Sequence, residues 1–136
     1  MTSFHFEELE HTADLALKVR GHSLEEIFAH AAYGMFSLMA DLGGLEPTVG
    51  HEISLESLDY EALLVDWLNE LLYRHEVEEE IYTHFEIEAL SSIALSAIVW
   101  GGKMAASKLT VKAATFHDLE IRETGDGYLA TVVFDV

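Results

Sequence analysis

The residues with the most evident chemistry stand near the two ends of the chain. Asp135 and Val136 close the segment Tyr128-Leu-Ala-Thr-Val-Val-Phe-Asp-Val136, which otherwise reads as a strand buried on both faces. A carboxylate beside so apolar a run is costly unless a cation, a cluster of donors or water compensates it. A terminal carboxylate on Val136 brings a second acidic group to the same place. Near the start, His11-Thr12-Ala13-Asp14 leads directly into Leu15-Ala-Leu-Lys-Val19. If the fold joins these ends, Asp14, Asp135 and a Val136 oxygen form an all-oxygen site suited to a hard cation. If it does not, Asp135 is a solvated end and Asp14 a turn residue. The residues alone leave both readings open.

Other chemistry is thinner. His5, His11, His22, His30, His51, His75, His84 and His117 lack the short, regular spacing of zinc sites. There are no cysteines, which removes disulfides, thiolate metal sites and cysteine nucleophiles. No phosphate-cradling lysine loop, dinucleotide glycine motif or nucleophile-elbow serine is present. Lys112 and His117 share the mostly apolar block Val111-Lys-Ala-Ala-Thr-Phe-His117, where a lysine needs a carboxylate partner or an outward role. Lys112 is therefore expected near Asp14 and Asp135, or on a partner-facing surface.

Charge narrows the partners. Twenty-five acidic residues face seven basic ones, for a formal net charge of −18. A nucleic-acid groove needs clustered Lys and Arg to displace phosphate counterions. Here Lys18, Arg20, Arg74, Lys103, Lys108, Lys112 and Arg122 are scattered among carboxylates. Tight, direct RNA or DNA binding is disfavoured; cations and basic protein surfaces are the natural partners. No apolar run is long enough to span a bilayer. Met1-Thr-Ser-Phe-His-Phe-Glu7 has no basic region ahead of an apolar one, so no secretory signal is expected. With no cysteine to oxidise, a cytoplasmic location is the expectation.

The elements that must position these residues read as a single domain over residues 1–136. Its 50 % hydrophobic content and single proline suit a packed core. Strands are expected over residues 4–9 and 14–20, the second with Leu15, Leu17 and Val19 on one face. Ser23-Leu-Glu-Glu26 is a capping box opening a helix with Leu24, Ile27, Phe28, Ala31, Ala32, Met35 and Met39 on one stripe. A strand over 51–57 follows. Asp59 then caps a second helix whose stripe is Tyr60, Leu63, Leu64, Trp67, Leu68, Leu71 and Leu72. Glu76–Glu80 reads as a solvated acidic connection. Two strands over 81–100 are expected, with Ile93, Leu95, Ala97 and Val99 on one face and Gly101-Gly102 ending the pattern. Residues 108–122 supply further strand, and Gly125-Asp-Gly127 a hairpin turn into the last one. Two long amphipathic helices packing a mixed or antiparallel sheet make this an α+β fold.

Five blocks in chain order, His11-Thr-Ala-Asp14, Ser23-Leu-Glu-Glu-Ile-Phe28, Leu63-Leu-Val-Asp-Trp-Leu-Asn-Glu-Leu-Leu72, Val111–His117 and Phe134-Asp-Val136, resemble the archease family. The first, fourth and last are the specific ones. The resemblance implies an acidic accessory protein, not an enzyme, that promotes guanylylation and repeated turnover of the RNA ligase of tRNA splicing. It also implies, for some members, chaperone-like action on a tRNA methyltransferase. It implies a divalent cation, Ca2+ ahead of Mg2+, held by Asp14, Asp135 and Val136. The short Gly102–Lys108 segment departs from the longer, histidine-bearing one common in the family. The alternative is a divalent-metal-dependent hydrolase, with Asp14 and Asp135 holding the cation and His11 or His117 as general base.

Overall fold

The computed structural model describes the backbone of residues 2–5 and the whole of residues 14–104 and 108–136. Seven strands and two helices follow in the order β1 (Thr2–His5), β2 (Asp14–Gly21), α1 (Leu24–Met39), β3 (Val49–Glu56), α2 (Tyr60–Glu78), β4 (Glu80–Leu90), β5 (Ala94–Lys103), β6 (Ala113–Glu123) and β7 (Tyr128–Asp135). The strands form two sheets rather than one. A four-stranded sheet has the order β1-β2-β7-β6 and a three-stranded sheet the order β3-β5-β4. Every pairing is antiparallel. Strand β1 is confined to residues 2–5; residues 6–9 of the expected first strand lie outside the described residues.

Local chemistry starts both helices where the sequence indicates. Ser23 caps α1, its Oγ accepting from the Glu26 N–H at 3.2 Å. Glu26 reaches back to the His22 N–H at 3.0 Å, one residue earlier than in the reciprocal capping box. That backbone hydrogen bond holds the Glu26 carboxyl below the usual glutamate range. Asp59 caps α2, accepting from the Ala62 N–H at 2.8 Å. The expected stripes face inward, with Phe36 and Val65 added to the buried set.

Helix α1 packs on β2 and β4, one strand from each sheet, and α2 packs chiefly on β6. One continuous core therefore joins both sheets and both helices, with Phe28, Met35, Phe36, Trp67, Tyr82, Val99 and Phe134 among its fully buried residues. The Trp67 Nε1–H donates to the Phe28 carbonyl at 2.9 Å, so the largest core side chain buries no unpaired donor. No described helix is long and apolar enough to cross a membrane.

Three expectations are corrected. Gly101-Gly102 does not end β5, which runs on to Lys103; a Cβ at Gly101 would collide with the Ile81 carbonyl, so glycine permits the close approach of β4. Ile93 lies outside β5 and is exposed, because the Ser91 N–H closes the turn on the Ala94 carbonyl. The acidic run 76–80 is not a solvated connection. Helix α2 continues through Glu78, Glu79 turns the chain at φ 55°, and Glu80 opens β4 in the core, 3 % exposed.

Candidate functional site

Strands β2 and β7 pair in unbroken register from Gly21↔Tyr128 to Asp14↔Asp135. Directly opposed residues share a face of the sheet, with Cβ atoms about 5 Å apart. Some 120 residues of intervening chain thus return Asp135 to Asp14. On β7's other side Asp135 faces Ala113 of β6, and the Lys112 N–H donates to the Asp135 carbonyl at 2.8 Å. Asp14 is half-buried and Asp135 exposed. Val136 follows Asp135 and packs against the core. Paired carboxylates with a neighbouring chain oxygen are hard donors of the kind Ca2+ and Mg2+ take. Among the described residues no group of three or more His, Asp or Glu side chains is gathered for a metal.

The backbone of Lys112 lies beside Asp135, whereas its side chain is exposed. Behind it α2 clamps the start of β6. Asn69 Nδ2–H donates to the Ala114 carbonyl at 3.1 Å, and Asn69 Oδ1 accepts from the Ala114 N–H at 2.8 Å. Sequence reasoning passed over Asn69, whose signal is an amide set in the apolar stripe of α2. A cleft of about 560 Å³ opens between α2 and residues 110–113, lined by Asn69, Tyr73, His75 and Lys112 among others. His117 is exposed in an irregular stretch of β6 and lies 3.2 Å from Asp118. His11 lies outside the described residues.

A second cluster was not foreseen. The Glu80 carboxylate accepts from His51 Nε2–H at 2.7 Å and from the Tyr82 hydroxyl at 2.8 Å, with Lys103 Nζ at 3.5 Å. Burial pushes the Glu80 carboxyl upward, but these hydrogen bonds and the cationic neighbours outweigh it and hold it below the ordinary range. Burial, then the Glu80 contact, pushes the Tyr82 hydroxyl well above the usual tyrosine value, so it stays a donor. The cluster belongs to the three-stranded sheet, apart from the aspartate pair.

Fold and site define a small acidic α+β protein of two antiparallel sheets, with paired carboxylates where β2 and β7 end. The model of the archease protein family (MTH1598/TM1083) matches residues 6–136, and the chain belongs to that family. Protein archease of Methanosarcina acetivorans is 37 % identical, over 96 % of this chain and 95 % of that one. Protein archease of Saccharolobus islandicus is 38 % identical, over 96 % of this chain and 98 % of its own length. The solution structure of Methanobacterium thermoautotrophicum protein 1598 superposes with a TM-score of 0.75 at 32 % identity, covering 92 % of this chain and 94 % of that one. A Thermotoga maritima archease, described as a possible chaperone, shares the fold with a TM-score of 0.67 at 23 % identity, covering 96 % of each chain.

Proposed function

We propose that this chain is a cation-binding accessory protein that activates the RNA ligase of tRNA splicing and catalyses nothing alone. The observation that carries the reading is the register of β2 on β7, which sets Asp14 against Asp135 in a member of the archease family. Asp14, Asp135 and Val136 would hold Ca2+, or Mg2+ in its place, with water or a partner group completing the shell. A bound cation supplies positive charge and open coordination positions on a surface that otherwise carries excess negative charge. The chain's own part is to hold the donors still. The Lys112 N–H fixes the Asp135 carbonyl, and Asn69 fixes the next residues of β6. The net charge of −18 favours docking on a basic enzyme over binding RNA directly, so activation should weaken as salt rises. The hydrolase alternative is disfavoured by the placement of His117, exposed and beside Asp118.

The test is guanylylation and multiple-turnover ligation by the cognate ligase, with substoichiometric protein and defined Ca2+ or Mg2+. The same preparation is assayed beside a tRNA methyltransferase as the second implied partner. Activation of the ligase is expected, and Asp14→Asn or Asp135→Asn should each reduce cation affinity in calorimetry by at least about tenfold, since a site of few ligands cannot spare one. No gain in ligase rate or turnover with either ion rejects the ligase reading. Full cation affinity in the Asp135→Asn protein rejects the site.

A further inference from the structure

The outer face of the β3-β5-β4 sheet is covered by no described helix or strand. Both helices meet this sheet through the common core, where Ile53, Leu95, Ala97 and Val99 are buried. Strand alternation therefore turns their neighbours outward. In register, Glu52 of β3 and Glu86 of β4 flank Ile98 of β5; one step along, Gly50 and His84 flank Trp100. Glu52 and Glu86 are exposed, while Ile98 and Trp100 are half-buried. A Cβ at Gly50 would lie 2.9 Å from Trp100 Cδ1 and 3.0 Å from Nε1, so the Cδ1–Nε1 edge of the indole fills the space above the glycine. The half-buried indole leaves part of its ring system to solvent. Two strand spacings separate Glu52 from Glu86, about 9.5 Å, with the Ile98 side chain between them.

Among the described residues, no Lys or Arg of these three strands points from this face. Lys103 is the one Lys or Arg in these three strands, and its Nζ is engaged by the Glu78 carbonyl at 2.9 Å and by Glu80. We infer that this face docks an extended, arginine-bearing segment of a basic partner protein. An arginine is matched part by part. Its aliphatic stem covers Ile98, its guanidinium reaches the flanking carboxylates, and its plane stacks on the indole. A second copy of this chain would set Glu52 and Glu86 against their own kind, and a nucleic acid would set phosphate against them. Charge complementarity leaves a basic protein segment as the occupant. The inference stands independently of the aspartate pair, which belongs to the other sheet.

The experiment titrates the full-length protein with a fluorescein-labelled synthetic peptide of alternating arginine and threonine, read by anisotropy at low salt. The control pair is E52Q/E86Q against E120Q/E123Q, which changes net charge equally on exposed positions of β6. Loss of two exposed ion pairs predicts roughly tenfold weaker binding for E52Q/E86Q and less than about twofold for E120Q/E123Q. Trp100→Leu should weaken binding about fivefold and should weaken a lysine-threonine peptide less than the arginine one. Equal losses in the two double variants, or full affinity in both E52Q/E86Q and Trp100→Leu, would overturn the inference. All substituted positions are surface ones except Trp100, so the glutamine variants alone decide if the leucine variant does not fold.

Discussion

Replacing Glu80 by alanine should cost more stability than any other removal of a charged side chain here, because among the described residues it is the one buried charged side chain. Its two short hydrogen bonds, to His51 at 2.7 Å and Tyr82 at 2.8 Å, each involve a charged acceptor and contribute about 1.5–3 kcal/mol. Lys103, 66 % exposed at 3.5 Å, is screened by solvent and adds about 0–1 kcal/mol. Truncation also strands the Tyr82 hydroxyl in the core. The expected loss is about 3–5 kcal/mol, a third or more of a typical domain's stability. For a chain of this size that is a fall in Tm of roughly 10–17 °C. The pH dependence has a definite sign. The folded carboxyl titrates below its unfolded value, so its stabilisation is complete above the ordinary glutamate range and is lost as pH falls through the lowered folded value. The gap between wild type and Glu80→Ala should therefore be widest near neutrality and narrow below about pH 4. Urea denaturation at pH 7 and at pH 3.5 measures it. A gap under about 1 kcal/mol at pH 7, or one unchanged at pH 3.5, refutes the reasoning.

Two smaller perturbations probe the aspartate edge. Asn69→Ala removes both side-chain bonds to Ala114 and should destabilise the fold by about 1–2 kcal/mol while lowering cation affinity, with calorimetry and thermal melts as the readouts; unchanged cation affinity would separate the clamp from the site. Asp135→Asn removes a like-charge cross-strand partner of Asp14, so without divalent cation its Tm should equal or exceed wild type, and a clear drop in chelator would show that the carboxylate stabilises the fold by itself.

Both helices were legible because their signals are local: a cap residue, a periodic stripe and a stop lie within twenty residues of one another. The division into two sheets was not, since alternation tells which way a side chain points but not which strand lies beside it. Gly101-Gly102 shows the same limit. Paired glycines read as a stop when taken alone, and only the approach of Ile81 from another strand makes them strand residues. Glu80 was misread for a related reason. Four glutamates around Val77 looked like one solvated run, yet a left-handed turn at Glu79 divides it, and partners 29 residues upstream and 23 downstream compensate the buried charge.

The aspartate edge lies between these cases. The cost of an acid at the end of an apolar strand made Asp135 conspicuous, and Asp14 stood at the start of another strand. Their meeting depends on one register, and that register is itself set by the core. A slip of one residue would turn either Leu17 and Val19 or Val132 and Phe134 out of the interior, exposing two side chains that are now fully buried. Each is worth about 1.5–3 kcal/mol of burial, far more than the repulsion between two carboxylates about 5 Å apart near water. The hydrophobic pattern of β2 and β7 therefore holds the two charges together against their own preference, so a carboxylate pair persists that the two aspartates alone would not assemble.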